Sequence, residues 1–139
     1  MLYSPEILAA AVSLADYPLR AELVLRGEAR SRSCGSTLTL GLTTDEAGRI
    51  TRAGCRAQAC AVGQAAASLF VRHAGGLGAE DIAACRGRLA SWLGGGAVPP
   101  DWPEIALLEP ARGYPARHGA ILLAWDAALA ALASQPALR

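Results

Sequence analysis

The chain has 139 residues, 53% hydrophobic and 18% charged, a composition that supports a packed core and rules out disorder. Its formal net charge of +1 provides no electrostatic footprint for nucleic acid or an anionic membrane. All 13 basic residues counted as Lys or Arg are arginine, which excludes Schiff-base and lysine general-base mechanisms.

At this length one domain spanning residues 1–139 is expected. Met1–Val12 looks briefly like a signal peptide, but Pro5 and Glu6 stand where a basic segment should be. No apolar run reaches the ~20 residues that span a bilayer. These features point to the cytoplasm, where thiols stay reduced. Cys34, Cys55, Cys60 and Cys85 therefore read as free thiols or metal ligands before disulfides.

Ser4-Pro5-Glu6 is a helix start, with Ser as N-cap, Pro at the first helical position and an acid for the dipole. Ile7, Leu8, Ala11, Val12 and Ala15 follow at helical spacing, and Pro18 ends the run. Residues 21–26 and 28–33 are two short strand-like stretches. Thr37–Thr43 alternates cleanly, with Leu38, Leu40 and Leu42 on one face of a half-buried strand. Thr44–Gly48 is turn chemistry, and Arg49–Ala59 reads as the returning antiparallel strand.

After Cys60 the period changes to that of a helix through Val62, Ala65, Ala66, Leu69, Phe70 and His73, stopped by Gly75-Gly76. A second helix spans Ala79 to Leu93, ended by Gly94-Gly95-Gly96. Residues 97–114 are rich in Pro and Gly, with one helical turn near Glu104–Leu108. Pro115 opens a last helix with Ile121, Leu122, Trp125, Leu129 and Leu132 along one stripe. The order predicts an α+β fold: an N-terminal helix, a three-stranded antiparallel sheet, then helices packed on one face.

Cys34-Gly35-Ser36 lies where a loop enters the clearest strand. Gly35 allows close backbone approach to an ion and Cys34 offers a soft thiolate, although a small buried cysteine beside a turn glycine fits the same tripeptide. Cys60 sits where strand becomes helix, and the free N–H groups and dipole there favour a thiolate. Arg56, four residues earlier, adds positive charge. Such a thiol is poised to bind metal or attack sulfane sulfur; burial as a core residue is the alternative. Cys55 reads as a core residue, or else as a fringe ligand or resolving thiol, and Cys85 as packing. The spacing of the four cysteines matches no zinc-finger or ferredoxin pattern. His73 falls on the apolar stripe of its helix and reads as core. His118 opens the last helix beside Arg117 and reads as a ligand, a proton carrier or an ordinary surface histidine.

Three segments together resemble the NifU/IscU/SufU family of iron–sulfur cluster assembly scaffolds. Ser33-Cys-Gly-Ser-Thr-Leu-Thr-Leu40 is similar to the family's Cys-Gly-Asp loop entering a strand. Cys60-Ala-Val-Gly-Gln-Ala-Ala-Ala-Ser68 resembles the SufU-like cysteine at a helix start. Tyr114-Pro-Ala-Arg-His-Gly-Ala-Ile-Leu-Leu-Ala-Trp-Asp126 resembles the Pro-Ala-Arg segment leading to an Ala-Trp helix. The ordered set runs from about residue 4 to 133 and implies a SufE/NifU-like fold.

The resemblance implies three cysteines and an aspartate around zinc or a transient iron–sulfur cluster. Cys34 and Cys60 match the first two cysteines, but Ser36 stands at the aspartate position and Ala120 at that of the third cysteine. Two thiolates leave a tetrahedral zinc site or a 2Fe–2S cluster half filled. His118, Cys55, an external thiol or a second subunit in a homo-oligomer would have to complete the shell around iron or zinc. The implied role is a scaffold or sulfur acceptor rather than a turnover enzyme. Cys60 would be the persulfide acceptor, and a cysteine desulfurase and other cluster-assembly proteins the partners. The alternative is a degenerate relative that binds or regulates the assembly machinery without chemistry of its own.

Overall fold

The computed structural model describes residues 2–134. Helix α1 (Pro5–Ser13) starts as its sequence predicts, with the Ile7 amide donating to Ser4 Oγ at 3.2 Å. Three strands follow, β1 (Leu25–Arg30), β2 (Thr37–Thr44) and β3 (Ile50–Gln58), then helices α2 (Ala61–His73), α3 (Ala79–Leu93) and α4 (His118–Ala133). The sheet is antiparallel in the order β1-β2-β3, with Leu40 opposite both Gly27 and Cys55. The β2–β3 turn is held by Asp45, whose carboxylate accepts from the amides of Ala47 and Arg49. This is the predicted α+β architecture.

Strand β2 is central, and its Leu38, Leu40 and Leu42 are at most 2% exposed. The opposite face carries Arg26, Glu28 and Arg30 of β1 and Arg52 and Arg56 of β3, all exposed. The two expected stretches around Gly27 are one strand, because α4 lies directly on it. A Cβ at Gly27 would collide with the Ala127 carbonyl and the Ala131 amide nitrogen, so only glycine permits this approach.

Helix α4 is buried on more than the expected stripe: Leu122 and Leu129 are half-buried, whereas Ala124, Ala127, Ala128 and Ala131 are buried. It packs on β1, β2, α2 and α3, so small residues are needed where backbones come close. The stretch Pro115–Ala133 is long and apolar enough to cross a membrane by length and composition, contrary to the sequence expectation, but half of it is buried in this core. Helix α1 differs too. Ile7 and Ala10 face the core, while Leu8 and Val12 are 45% and 75% exposed.

Phe70, Trp102 and Trp125 form an aromatic cluster with ring centroids 5.1–5.5 Å apart, joining α2, the 97–114 segment and α4. Within that segment the expected single turn is a longer 3₁₀ stretch, Ile105–Gly113. His73 is not a core residue: its Nε2 lies 2.8 Å from Glu104 Oε2, which also meets Arg72 Nη1 at 3.1 Å.

Candidate functional site

Cys34 is exposed on the loop that turns β1 into β2. The Ser31 amide donates to the Ser36 carbonyl at 2.8 Å and the Gly35 amide to the Ser31 carbonyl at 3.0 Å, closing a tight loop. Gly35 takes φ +70°, the left-handed region that glycine adopts without strain. Sγ of Cys34 lies 3.5 Å from Ser31 Oγ and 3.0 Å from Ser36 Oγ, both on buried serines. Side-chain hydrogen bonds with Ser31 and Ser36, then the Ser36 amide and the Arg117 charge, hold the Cys34 thiol below its ordinary pKa against partial desolvation.

The loop is seated on the start of α4. Ser33 Oγ donates to the Ala116 carbonyl at 3.0 Å and shares a hydrogen bond of 3.1 Å with Ser31. A Cβ at Gly119 would lie 2.6 Å from Ser31 Oγ, so that position must be small.

Cys60 is half-buried and is the N-cap of α2, with extended backbone (φ −65°, ψ 169°). Its carbonyl accepts from the Gln64 amide at 2.9 Å, but its side chain makes no capping hydrogen bond. The first turn of α2 packs on the first turn of α4. A Cβ at Gly63 would lie 3.2 Å from the Ala120 Cβ. Arg56, expected to assist Cys60, stands on the exposed sheet face opposite Thr39.

The segments bearing Cys34 and Cys60 therefore both pack on the start of α4, where Ala120 is 1% exposed. His118 does not join them as a third donor. Its Nε2 donates to the carbonyls of Ala111 and Arg112 at 3.2 and 3.1 Å, tying the 3₁₀ stretch to α4. Among the described residues no three of His, Cys, Asp and Glu converge as a metal-binding group. Ser36, with its hydroxyl on Cys34, brings no carboxylate. These residues do not fit a four-ligand zinc or cluster site closed by this chain alone. Cys55 does not help: it is 6% exposed, and burial pushes its thiol up to about 12. Burial likewise raises Cys85, in the core as expected.

The residues missed at the sequence level are Ser31, Ser33 and Arg117, which surround Cys34. Their signal is a serine-rich loop, Ser31-Arg-Ser-Cys-Gly-Ser36, and it says little until the chain folds back on itself.

No protein-family model matches the sequence, and no curated protein sequence matches it. Solved structures do. The crystal structure of a putative iron–sulfur cluster assembly scaffold protein for the SUF system from thermophilic Fervidobacterium islandicum AW-1 superposes with a TM-score of 0.81. At 20% identity, over 94% of this chain and 97% of that one, this likeness shows the fold. The nitrogen-fixing NifU-like protein (N-terminal) from Brucella abortus is nearer in sequence, with a TM-score of 0.82 and 31% identity over 92% of this chain and 90% of that one. Identity at that level across almost the whole of both chains, on the same order of helix, sheet and helices, makes this chain a member of the NifU/IscU/SufU-like family.

Proposed function

We propose that this protein is a scaffold-type component of iron–sulfur cluster assembly that receives sulfur from a cysteine desulfurase on Cys34, with Cys60 as the second thiol of the site. Membership of a family that includes a NifU-like protein supports the pathway. One observation carries the chemistry: Cys34 is exposed, and two serine hydroxyls lie against its sulfur. The sequence alone favours Cys60, whose side chain makes no capping hydrogen bond.

In the transfer step the Cys34 thiolate attacks the terminal sulfur of the desulfurase persulfide. A new S–S bond forms on Cys34, the donor's S–S bond breaks, and its electron pair leaves on the donor cysteine as thiolate. The persulfide proton stays with the transferred sulfur or passes to water, so no external oxidant or reductant is needed. Ser31 and Ser36 stabilise the attacking thiolate, and Arg117 adds a favourable charge. Iron, zinc or a nascent cluster is cargo, for which this chain supplies at most the thiolates of Cys34 and Cys60. The remaining ligands come from an external thiol or a second copy, in a reducing compartment such as the cytoplasm.

The test is incubation with desulfurase and cysteine, followed by mass spectrometry of the thiol peptides. One added sulfur atom is expected on Cys34, lost in Cys34→Ala and retained in Cys60→Ala. Sulfur on neither residue would refute the acceptor role. A second reading, a relative that docks on the assembly machinery without accepting sulfur, is favoured by the buried Ala120 and the tied His118. It requires desulfurase binding to survive loss of both thiols with no sulfur transferred to wild type.

A further inference from the structure

A second site lies at the other end of α2 from Cys60, a 13-residue helix and so roughly 20 Å away. A cavity of about 310 Å³ opens there between α2, β3 and the Asp16–Leu23 segment. That volume is at the lower end of small-molecule pockets, about 300–1,000 Å³. Three arginines from three separate elements line it: Arg20 of the connecting segment, Arg52 of β3 and Arg72 of α2.

Their charges are poorly balanced. The carboxylate in the wall, Asp16, makes no ion pair with any of them among the described residues, where the ion pairs are those of Arg72 and His73 with Glu104, Arg86 with Asp126 and Arg112 with Glu109. Arg72 spends one amino group on Glu104; the guanidinium groups of Arg20 and Arg52 have no partner among the described residues. The chain carries only +1 overall, so with Arg72 paired to Glu104 the two partnerless guanidinium groups of Arg20 and Arg52 against the single carboxylate of the wall are a local excess of positive charge. Behind them the walls are apolar, from Leu23, Ile50 and Val71.

We propose that this cavity binds a small organic oxyanion, its anionic group on the arginines and its apolar body against Leu23, Ile50 and Val71. Planar guanidinium groups hold carboxylate and phosphate in the same two-point manner, so either source fits the chemistry. The site is separate from the thiols and does not need them.

Calorimetric titration of the full chain with phenyl phosphate, benzoate, inorganic phosphate and benzyl alcohol tests this. Saturable binding of phenyl phosphate or benzoate is expected, the tighter of the two identifying the anionic group. Arg20→Gln and Arg52→Gln, both at exposed positions, should each weaken it about five- to tenfold, while Cys34→Ala and Cys60→Ala leave it unchanged. The proposal is overturned if neither anion saturates, or if the arginine variants bind as wild type does. It is equally overturned if benzyl alcohol binds as well as the anions, or if inorganic phosphate matches phenyl phosphate and so needs no apolar wall. Circular dichroism of the variants confirms that any loss is not unfolding.

Discussion

Replacing Ser36 with alanine removes a hydroxyl 3.0 Å from the Cys34 sulfur and nothing else, since Ser36 Oγ has no other hydrogen-bond partner among the described residues. The position is buried, so the methyl fills nearly the same space and the loop keeps its Ser31–Ser36 backbone bond. A hydrogen bond to a charged group contributes about 1.5–3 kcal/mol when shielded. Cys34 is exposed, and solvent screening reduces this to ~0.5–1 kcal/mol. That is a two- to fivefold change, about, in the thiolate-to-thiol ratio below the pKa. The variant's titration should move up towards the ordinary thiol value, because a bond that lowered it is gone. The lower pKa of wild type also weakens the thiolate as a nucleophile, so the rate effect is smaller than the population effect. The assay is iodoacetamide alkylation of Cys34 against pH in a Cys60→Ala background, read by mass spectrometry. Wild type should reach its plateau at lower pH than the Ser36→Ala variant. Superimposable pH profiles would refute the hydroxyl cradle, and with it the reason for placing sulfur on Cys34.

Three further outcomes are expected. Gly27→Ala should destabilise the protein by about 3 kcal/mol, at the upper end of overpacking costs, because the new methyl meets α4 backbone rather than a movable side chain; a urea midpoint equal to wild type would refute the α4–β1 packing. His118→Ala should lower stability by ~1 kcal/mol through its lost carbonyl hydrogen bonds, yet leave zinc affinity unchanged in a competition titration; a large loss of zinc binding would restore His118 as a ligand. Glu104 is held below its ordinary carboxyl value of 4.5 first by the His73 hydrogen bond and then by the Arg72 charge. Its contribution is therefore present above 4.5 and lost as pH falls through the lower folded value, so the urea-midpoint gap between wild type and Glu104→Gln should close in acid. A gap independent of pH would show that the pairing does not stabilise the fold.

The site was only half legible in the sequence. Cys34 and Cys60 stand out through their immediate neighbours, a turn glycine and a helix start, and both segments pack at the start of α4. What the loop and the helix start bearing these thiols rest on was not visible, because it comes from across the fold. Ser33 reaches Ala116, 83 residues away, and Gly63 packs on Ala120. His118 looked free at its helix start, but the carbonyls that accept from it belong to a 3₁₀ stretch whose path no local pattern encodes. His73 was misread because helical periodicity reports which face a residue shares, and Glu104 comes from 31 residues away to make that edge of the face polar.

Elements written in short-range chemistry were determined before any folding in three dimensions. The Ser4–Pro5 cap, the alternating β2, the Asp45 turn and the boundaries of α2 and α3 each depend on residues within one or two turns of chain. Tertiary structure alone decided that β1 runs through Gly27, that α4 is buried through its alanines, and that Leu8 and Val12 face outward. The hydroxyls beside Cys34 are instead local, from serines two and three residues away, and only the seating of their loop on α4 is tertiary. Backbone approach and the packing of one segment on another depend on distances between groups remote in sequence, and those distances exist only once the core has closed.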